Sequence, residues 1–392
     1  MPHDEMILGL SGYEIKDINK GEKAVVVSAR YTGPARCPHC GGERLRNKDR
    51  YTRTVRHESW GQRHSYLQVQ AHKFHCLDCG RYFNEHLPGI LPRRRSSERF
   101  RRQVFWEHYD GICRKTLAER QGIGMATVER WFHDFLKREL AQRRSECCPQ
   151  VLGLDEHFFT RRRGYATTLC DLKHHKVFDV VLGRSESALE AYFSELKGKD
   201  RVRVVCIDMS SSYRSLIRRY FPNALIVADR FHVIRLINHQ FLATWRTLDP
   251  VGSQNRGLLS LIRRHAWNLR PEQQERLAEY FRHHQEIQPI YEFKQRLCQL
   301  LLHKHCTARY CRRLIPLFLN KIEQLINSGL AALQQLGRTL GSWKEEIVRM
   351  WRFTRNNGIT EGFHNKMEMI SRRAFGFRNF NNYRLRVRVM CA

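Results

Sequence analysis

Val151-Leu-Gly-Leu-Asp155, Val202-Arg-Val-Val-Cys-Ile-Asp208 and Ala224-Leu-Ile-Val-Ala-Asp229 share one pattern: a short apolar run, rich in β-branched residues, that ends in a carboxylate. Runs of that length and composition read as buried strands. Two further strands lie between the first pair, Tyr165-Ala-Thr-Thr-Leu-Cys and Val177-Phe-Asp-Val-Val-Leu, joined by a turn at Lys173-His-His-Lys. Helical patterns cover Ser187 to Leu196 and Tyr213 to Tyr220.

The order β-β-β-α-β-α-β is that of a ribonuclease-H-like α/β core. In that topology the first strand is central and the fourth lies parallel beside it. Asp155 and Asp208 would then emerge side by side at the carboxyl edge, where open α/β sheets place their ligands. Two close carboxylates are costly unless cations neutralise them. Mg2+ suits such a pair, because it binds a few carboxylates and keeps its remaining ligands for water and phosphate. Two such ions, or Mn2+ in their place, roughly 3.5–4 Å apart, serve phosphoryl transfer. The plainer readings are a strand-end turn for Asp155 and a helix cap for Asp208. Glu156, Asp171, Asp179 and Asp229 are competing acids. Asp229 is foremost among them, and with His232 it would support the site from its edge.

Beyond residue 231 the periodicity is helical, as in Gln273 to His283, Tyr291 to Lys304 and Arg312 to Ile326, with Pro271, Pro289, Pro316 and Gly329 as punctuation. Leu300 to Leu302 and Trp343 to Trp351 read as core. The stretch Asn356-Asn-Gly-Ile-Thr-Glu361 follows, in which Thr360 can cap a helix with Glu361 in its first turn. Glu361 is the expected third acid. Simple helix-start electrostatics would also explain it, and Glu368 lies two turns on near the same face. Lys366, Arg372 and Arg373 decorate that helix as expected DNA contacts.

The chain has 392 residues and a formal charge of +30, from 69 Lys+Arg against 39 Asp+Glu. A field of that sign attracts polyanions, nucleic acid first among them. No apolar run approaches the ~18 residues needed to span a bilayer, and Asp4 and Glu5 do not fit a signal peptide. The expected location is therefore the cytoplasm, with disulfides among the 13 cysteines disfavoured. Cys37-Pro-His-Cys40 and Cys76-Leu-Asp-Cys79 form two CxxC knuckles, each followed by glycine, with the spacing of a structural Zn2+ site. Ala24 to Ala29 and Ser65 to Ala71 alternate like strands, so a zinc ribbon is expected. The basic run Arg93-Arg-Arg-Ser-Ser-Glu-Arg-Phe-Arg-Arg reads either as a solvated linker or as a phosphate contact through Arg93, Arg94 and Arg95. Thr116-Leu-Ala-Glu-Arg-Gln-Gly-Ile-Gly-Met-Ala-Thr-Val-Glu-Arg-Trp-Phe has helix-turn-helix spacing, with Gly122 at the turn and Ala126, Thr127 and Arg130 facing outward. An unrelated helical hairpin is the alternative.

Together these motifs resemble the ISL3 family of insertion-sequence transposases, of the DDE type, over nearly the whole chain. The carriers are CPHC…CLDC, TLAERQGIGMATVERW, LGLDEHFF, VVCIDMSSSYRS, FPNALIVADRFHVIRLIN and NNGITEGFHNKMEMISRRAFGFRNFNNYRLRVRV. The resemblance implies a catalytic triad of Asp155, Asp208 and Glu361. It also implies a zinc-ribbon DNA-binding domain (1–92), a helix-turn-helix domain (93–148), a ribonuclease-H-like core (149–232 and 355–392) and an all-α insertion (233–354). The activity expected is binding of terminal inverted repeats, cleavage and transfer into target DNA, by a homodimer or higher assembly at a bacterial nucleoid. A non-catalytic DNA-binding regulator and a nuclease without strand transfer are the rivals.

Overall fold

The computed structural model describes residues 2–143, 147–353 and 358–392. The chain divides into two compact units, residues 1–142 and 143–392. Among the described residues no helix is long and apolar enough to cross a membrane.

The first unit begins with α1 (Pro2–Leu8), β1 (Tyr13–Lys20), β2 (Ala24–Tyr31), β3 (Leu45–Trp60), β4 (Arg63–Cys76) and β5 (Tyr82–Asn84). The sheet order is β1-β2-β4-β3, with β5 on β4. Alternation puts Val25, Val27 and Ala29 of β2 and Leu67, Val69 and Ala71 of β4 into one core with Leu8, Tyr13, Val55 and Leu87. The long strand β3 had no apolar signal, because most of its first half is exposed. Antiparallel pairing with β4 along its length holds it, closed by Trp60 opposite Arg63 around Gly61 at φ 62°.

Three helices follow: α2 (Glu98–Tyr109), α3 (Arg114–Gln121) and α4 (Met125–Arg143). Gly122 ends α3 in the left-handed region at φ 63°, a conformation glycine adopts without strain. Ala118, Leu117, Val128 and Trp131 pack with Phe100 and Val104, and Ile123 lies against them. The basic run before α2 is not a free linker. The Arg56 amide donates to the Arg95 carbonyl, and the Ser97 amide donates to the Arg56 carbonyl, both at 2.9 Å, so the run is stitched to β3. The side chains of Arg93, Arg94 and Arg95 remain exposed.

The second unit opens with β6 (Val151–Thr160), β7 (Gly164–Asp171), β8 (Lys176–Leu182), α5 (Glu186–Glu195), β9 (Val204–Ile207), α6 (Ser211–Tyr220) and β10 (Leu225–Ala228). The sheet order is β10-β9-β6-β7-β8. β6 is central, antiparallel to β7 and parallel to β9, which is parallel to β10. The strand expected to stop at Asp155 continues through it. Only the parallel partner β9 ends there, while pairing with β7 runs on to Thr160 opposite Gly164.

The rest is helical: α7 (Arg230–Leu248), α8 (Arg256–Arg263), α9 (Pro271–His283), α10 (Ile287–Leu301), α11 (Ala308–Ile326), α12 (Ala331–Ser342), α13 (Lys344–Arg349), α14 (Gly358–Arg373) and α15 (Phe380–Met390). Trp343 and Trp351 are core residues, as read. Two prolines do not punctuate as expected: Pro289 sits in the first turn of α10, where its missing donor is harmless, and α11 runs through Pro316. One face of the sheet is covered by α14 and α15 through Met367, Ile370, Phe380, Tyr383 and Val387. Arg384 of α15 clamps the buried Asp179 of β8 with two bonds of 2.7 and 2.6 Å, and Arg388 lies 3.6 Å from the same carboxylate. Both arginines are thus turned toward this buried carboxylate.

Candidate active site

Strand register assembles the acids. Gly153 of β6 lies opposite Cys206 of β9, so two residues on Asp155 is level with Asp208. Ala228 of β10 lies opposite Ile207, and the Asp229 amide donates to the Ile207 carbonyl at 2.7 Å, which brings Asp229 to the same level. Three aspartates thus line one edge of three parallel strands. Asp229 is almost fully buried and caps α7, accepting from the Phe231 amide. One turn into α7, His232 stands 3.6 Å from Asp229 Oδ2 and 3.8 Å from Asp155 Oδ1.

The third element is α14. Its apolar residues Met367 and Ile370 pack with Cys170 and Ala166 of β7, and this seats the helix over the sheet. His364 Nδ1 lies 4.0 Å from Asp155 Oδ2, while its Nε2 bonds Thr168 Oγ1 at 3.1 Å. Glu361, one turn earlier, is exposed and close enough for its charge to act on Asp155. Glu368 instead pairs with Arg372 at 2.6 Å on the outer surface. Thr360 is not the cap: α14 already starts at Gly358, and Thr360 is buried within its first turn. Asn356 and Asn357, which precede it, lie outside the described residues.

Burial pushes the Asp155 carboxyl up to about 7, with the Asp229, Glu156 and Glu361 charges adding to the rise. Asp208 is raised to about 6, again chiefly by burial, with His232 opposing and Glu156 and Asp155 reinforcing. One Asp208 oxygen is buried with no hydrogen-bond partner. The competing acids are occupied elsewhere: Glu156 binds Arg184 and the Tyr213 hydroxyl, and Asp171 binds His174. Crowded, buried carboxylates with an orphaned oxygen are what a hard divalent cation satisfies.

Sequence reading missed a polar chain beneath Asp155. Tyr383 donates to or accepts from His157 Nε2 at 2.9 Å, His157 Nδ1 meets Thr168 Oγ1 at 2.9 Å, and Thr168 meets His364. Burial drives His157 down to about 3 and His364 to about 4, so both rings are neutral near pH 7. The available signal was spacing: His157 is two residues along a strand from Asp155, and His364 is three along a helix from Glu361.

In the first unit Cys37, Cys40, Cys76 and Cys79 have all four sulfurs within 4.8 Å of one another, the only such cluster of His, Cys, Asp or Glu among the described residues. The Cys37–Cys79 and Cys40–Cys76 separations are both 3.6 Å. Tetrahedral sulfurs about 2.3 Å from zinc are about 3.8 Å apart, so the set fits structural Zn2+. Gly41 and Gly80 take positive φ (74° and 69°) and return their amides to the Cys37 and Cys76 carbonyls, closing each knuckle. Arg130 is exposed and donates to Thr127 Oγ1 at 3.3 Å; Lys366, Arg372 and Arg373 are exposed on α14.

Comparison with known proteins finds relatives for both regions of the chain. A family model described as the transposase of the DDE ISL3 group matches residues 152–387. A second, described as the zinc finger of transposases IS204, IS1001, IS1096 and IS1165, matches residues 33–79. The transposase for insertion sequence element IS1001 of Bordetella parapertussis is 24% identical, over 98% of this chain and 96% of its own. With the acid-lined sheet edge inside the first match and the cysteine cluster inside the second, the chain belongs to the ISL3 family of DDE transposases, metal-dependent enzymes of DNA transposition that carry a zinc ribbon.

Proposed function

We propose that Asp155, Asp208 and Glu361 form the catalytic triad, and that they hold two Mg2+ ions (or Mn2+) for cleavage and strand transfer at terminal inverted repeats. The level alignment of Asp155 and Asp208 on parallel strands, with Glu361 within electrostatic reach, is the observation that carries this reading. Bound there, divalent cations would stabilise charge on the scissile phosphate and lower the pKa of the attacking hydroxyl. His232 and Asp229 support Asp155 from one side and the neutral His364 supports it from the other. Positioning by these side chains, with no covalent nucleophile among them, suits phosphoryl transfer.

The sheet order supports a ribonuclease-H-like core built from 149–232 and 355–392 and interrupted by a helical insertion at 233–354. The Gly122 turn between α3 and α4 supports a helix-turn-helix within 93–148, with Thr127 and Arg130 at the major groove and Arg93 to Arg95 on phosphates. Residues 1–92 would form the zinc-ribbon DNA-binding domain. Lys366, Arg372 and Arg373 would hold backbone phosphates near the acids. Synapsis of two element ends calls for a homodimer or larger assembly, acting on nucleoid and target DNA.

Incubating pre-cleaved 3′-hydroxyl ends with a target plasmid and Mg2+ is expected to give joined products by gel assay. Hydrolysis without joining would reduce the protein to a nuclease, and neither product would leave a DNA-binding regulator.

A further inference from the structure

The outer face of α7 carries a groove of about 430 Å³ that the acid cluster does not use, lined among others by Phe231, Arg235, Asn238, His239, Arg246 and, from α8, Arg263. The α7 members fall at spacings of 4, 7, 8 and 15 from Phe231, which share one helical face. No acidic residue lines the groove. Among the described residues no ion pair engages Arg235, Arg246 or Arg263, which are all exposed.

Two observations orient the groove. Phe231, 48% exposed, stands at its start against the ring of His232 (5.5 Å, edge-on), and His232 reaches Asp155 and Asp229. Asn238, which lines the middle, has a buried carboxamide oxygen with no hydrogen-bond partner. An aromatic face and a row of cations without ion pairs form a surface for nucleic acid, with stacking and phosphate neutralisation in one track. The helix rises about 22 Å from Phe231 to Arg246, room for at most about six nucleotides at roughly 3.4 Å or more per phosphate.

We propose that this groove binds a single-stranded stretch of DNA next to the cleavage point, with phosphates on Arg235, Arg246 and Arg263 and a base stacked on Phe231. The inference rests on the reading of the acids as the cleavage site, and it adds which strand form is held beside them. A base can stack on the exposed Phe231 ring only when its own face is free of a neighbouring base pair, which selects a single strand over a duplex.

Binding with Mg2+ omitted, which leaves the structural zinc in place, tests it apart from cleavage, so a failure here differs from a failure to join ends. Fluorescence anisotropy would compare a blunt duplex with the same duplex carrying a 3′ oligo-dT tail of about eight nucleotides, within the site sizes usual for single strands. The native protein is expected to prefer the tailed probe. The triple variant Arg235→Ala/Arg246→Ala/Arg263→Ala should bind the tailed probe at least about tenfold more weakly, with its salt slope reduced by about 2 and blunt-duplex affinity kept. Phe231→Ala should lower the tail preference with the salt slope unchanged. Melting temperatures equal to the native value establish that both variants are folded. Equal losses on the two probes, an unaltered tail preference in the triple variant, or a silent Phe231→Ala overturns the proposal.

Discussion

Asp155→Asn and Asp208→Asn are each expected to lower end cleavage and strand transfer by at least about a thousandfold, since several kcal/mol of charge stabilisation at about 1.4 kcal/mol per factor of ten is lost. Binding to element ends should persist, because neither carboxylate serves the zinc ribbon or the helices beside it. The same substitutions should stabilise the protein when no Mg2+ is present. Folding raises the Asp155 carboxyl from its ordinary value of 3.8 to about 7, so the folded state binds more protons than the unfolded chain between those values. Stability must then fall as pH rises through that window. Above it the ionised, largely buried Asp155 costs on the order of 4 kcal/mol, with Asp208 coupled to it. With Mg2+ omitted near pH 8 the asparagine variants should melt above the native protein, and the gap should close on acidification toward pH 4. Added Mg2+ should raise the native melting temperature and leave the variants unmoved. Variants that melt lower without Mg2+, or that respond to Mg2+ as the native protein does, would contradict this account.

The second large effect is expected at the ribbon. Cys37→Ser/Cys76→Ser removes one ligand from each knuckle, and metal analysis should show the loss of about one zinc per chain. Structural zinc contributes about 10–16 kcal/mol to small zinc modules, as much as the whole stability of an ordinary domain. The sheet between the knuckles should therefore loosen, since Cys76 closes β4 and pairs with Leu45 at the start of β3. Circular dichroism should report lost strand signal, and affinity for element ends should fall at least about tenfold. Unchanged zinc content would defeat the assignment.

Where strands are buried, the sequence is readable. β7, β8 and β10 fall within a residue or two of their apolar runs, and Asp208 and Asp229 close β9 and β10 as their spacing suggests. Asp155 is less legible, because β6 continues into Glu156-His157-Phe158, where pairing with β7 rather than burial sustains the strand. The same physics hides β3, whose charged first half has no pattern of its own. Pro316 misleads because it is exposed on α11, where the bonds of neighbouring turns outweigh its missing donor. The Tyr383–His157–Thr168–His364 chain joins four separate elements, so only tertiary packing reveals it.

Anomalous diffraction from crystals of the native protein grown with element-end DNA and Mn2+ addresses the acids most directly. The account predicts manganese peaks bounded by Asp155, Asp208 and Glu361. Manganese at Glu368 or Glu156 instead, or a DNA-bound site where Glu361 stays remote from the metal held by the two aspartates, would contradict it.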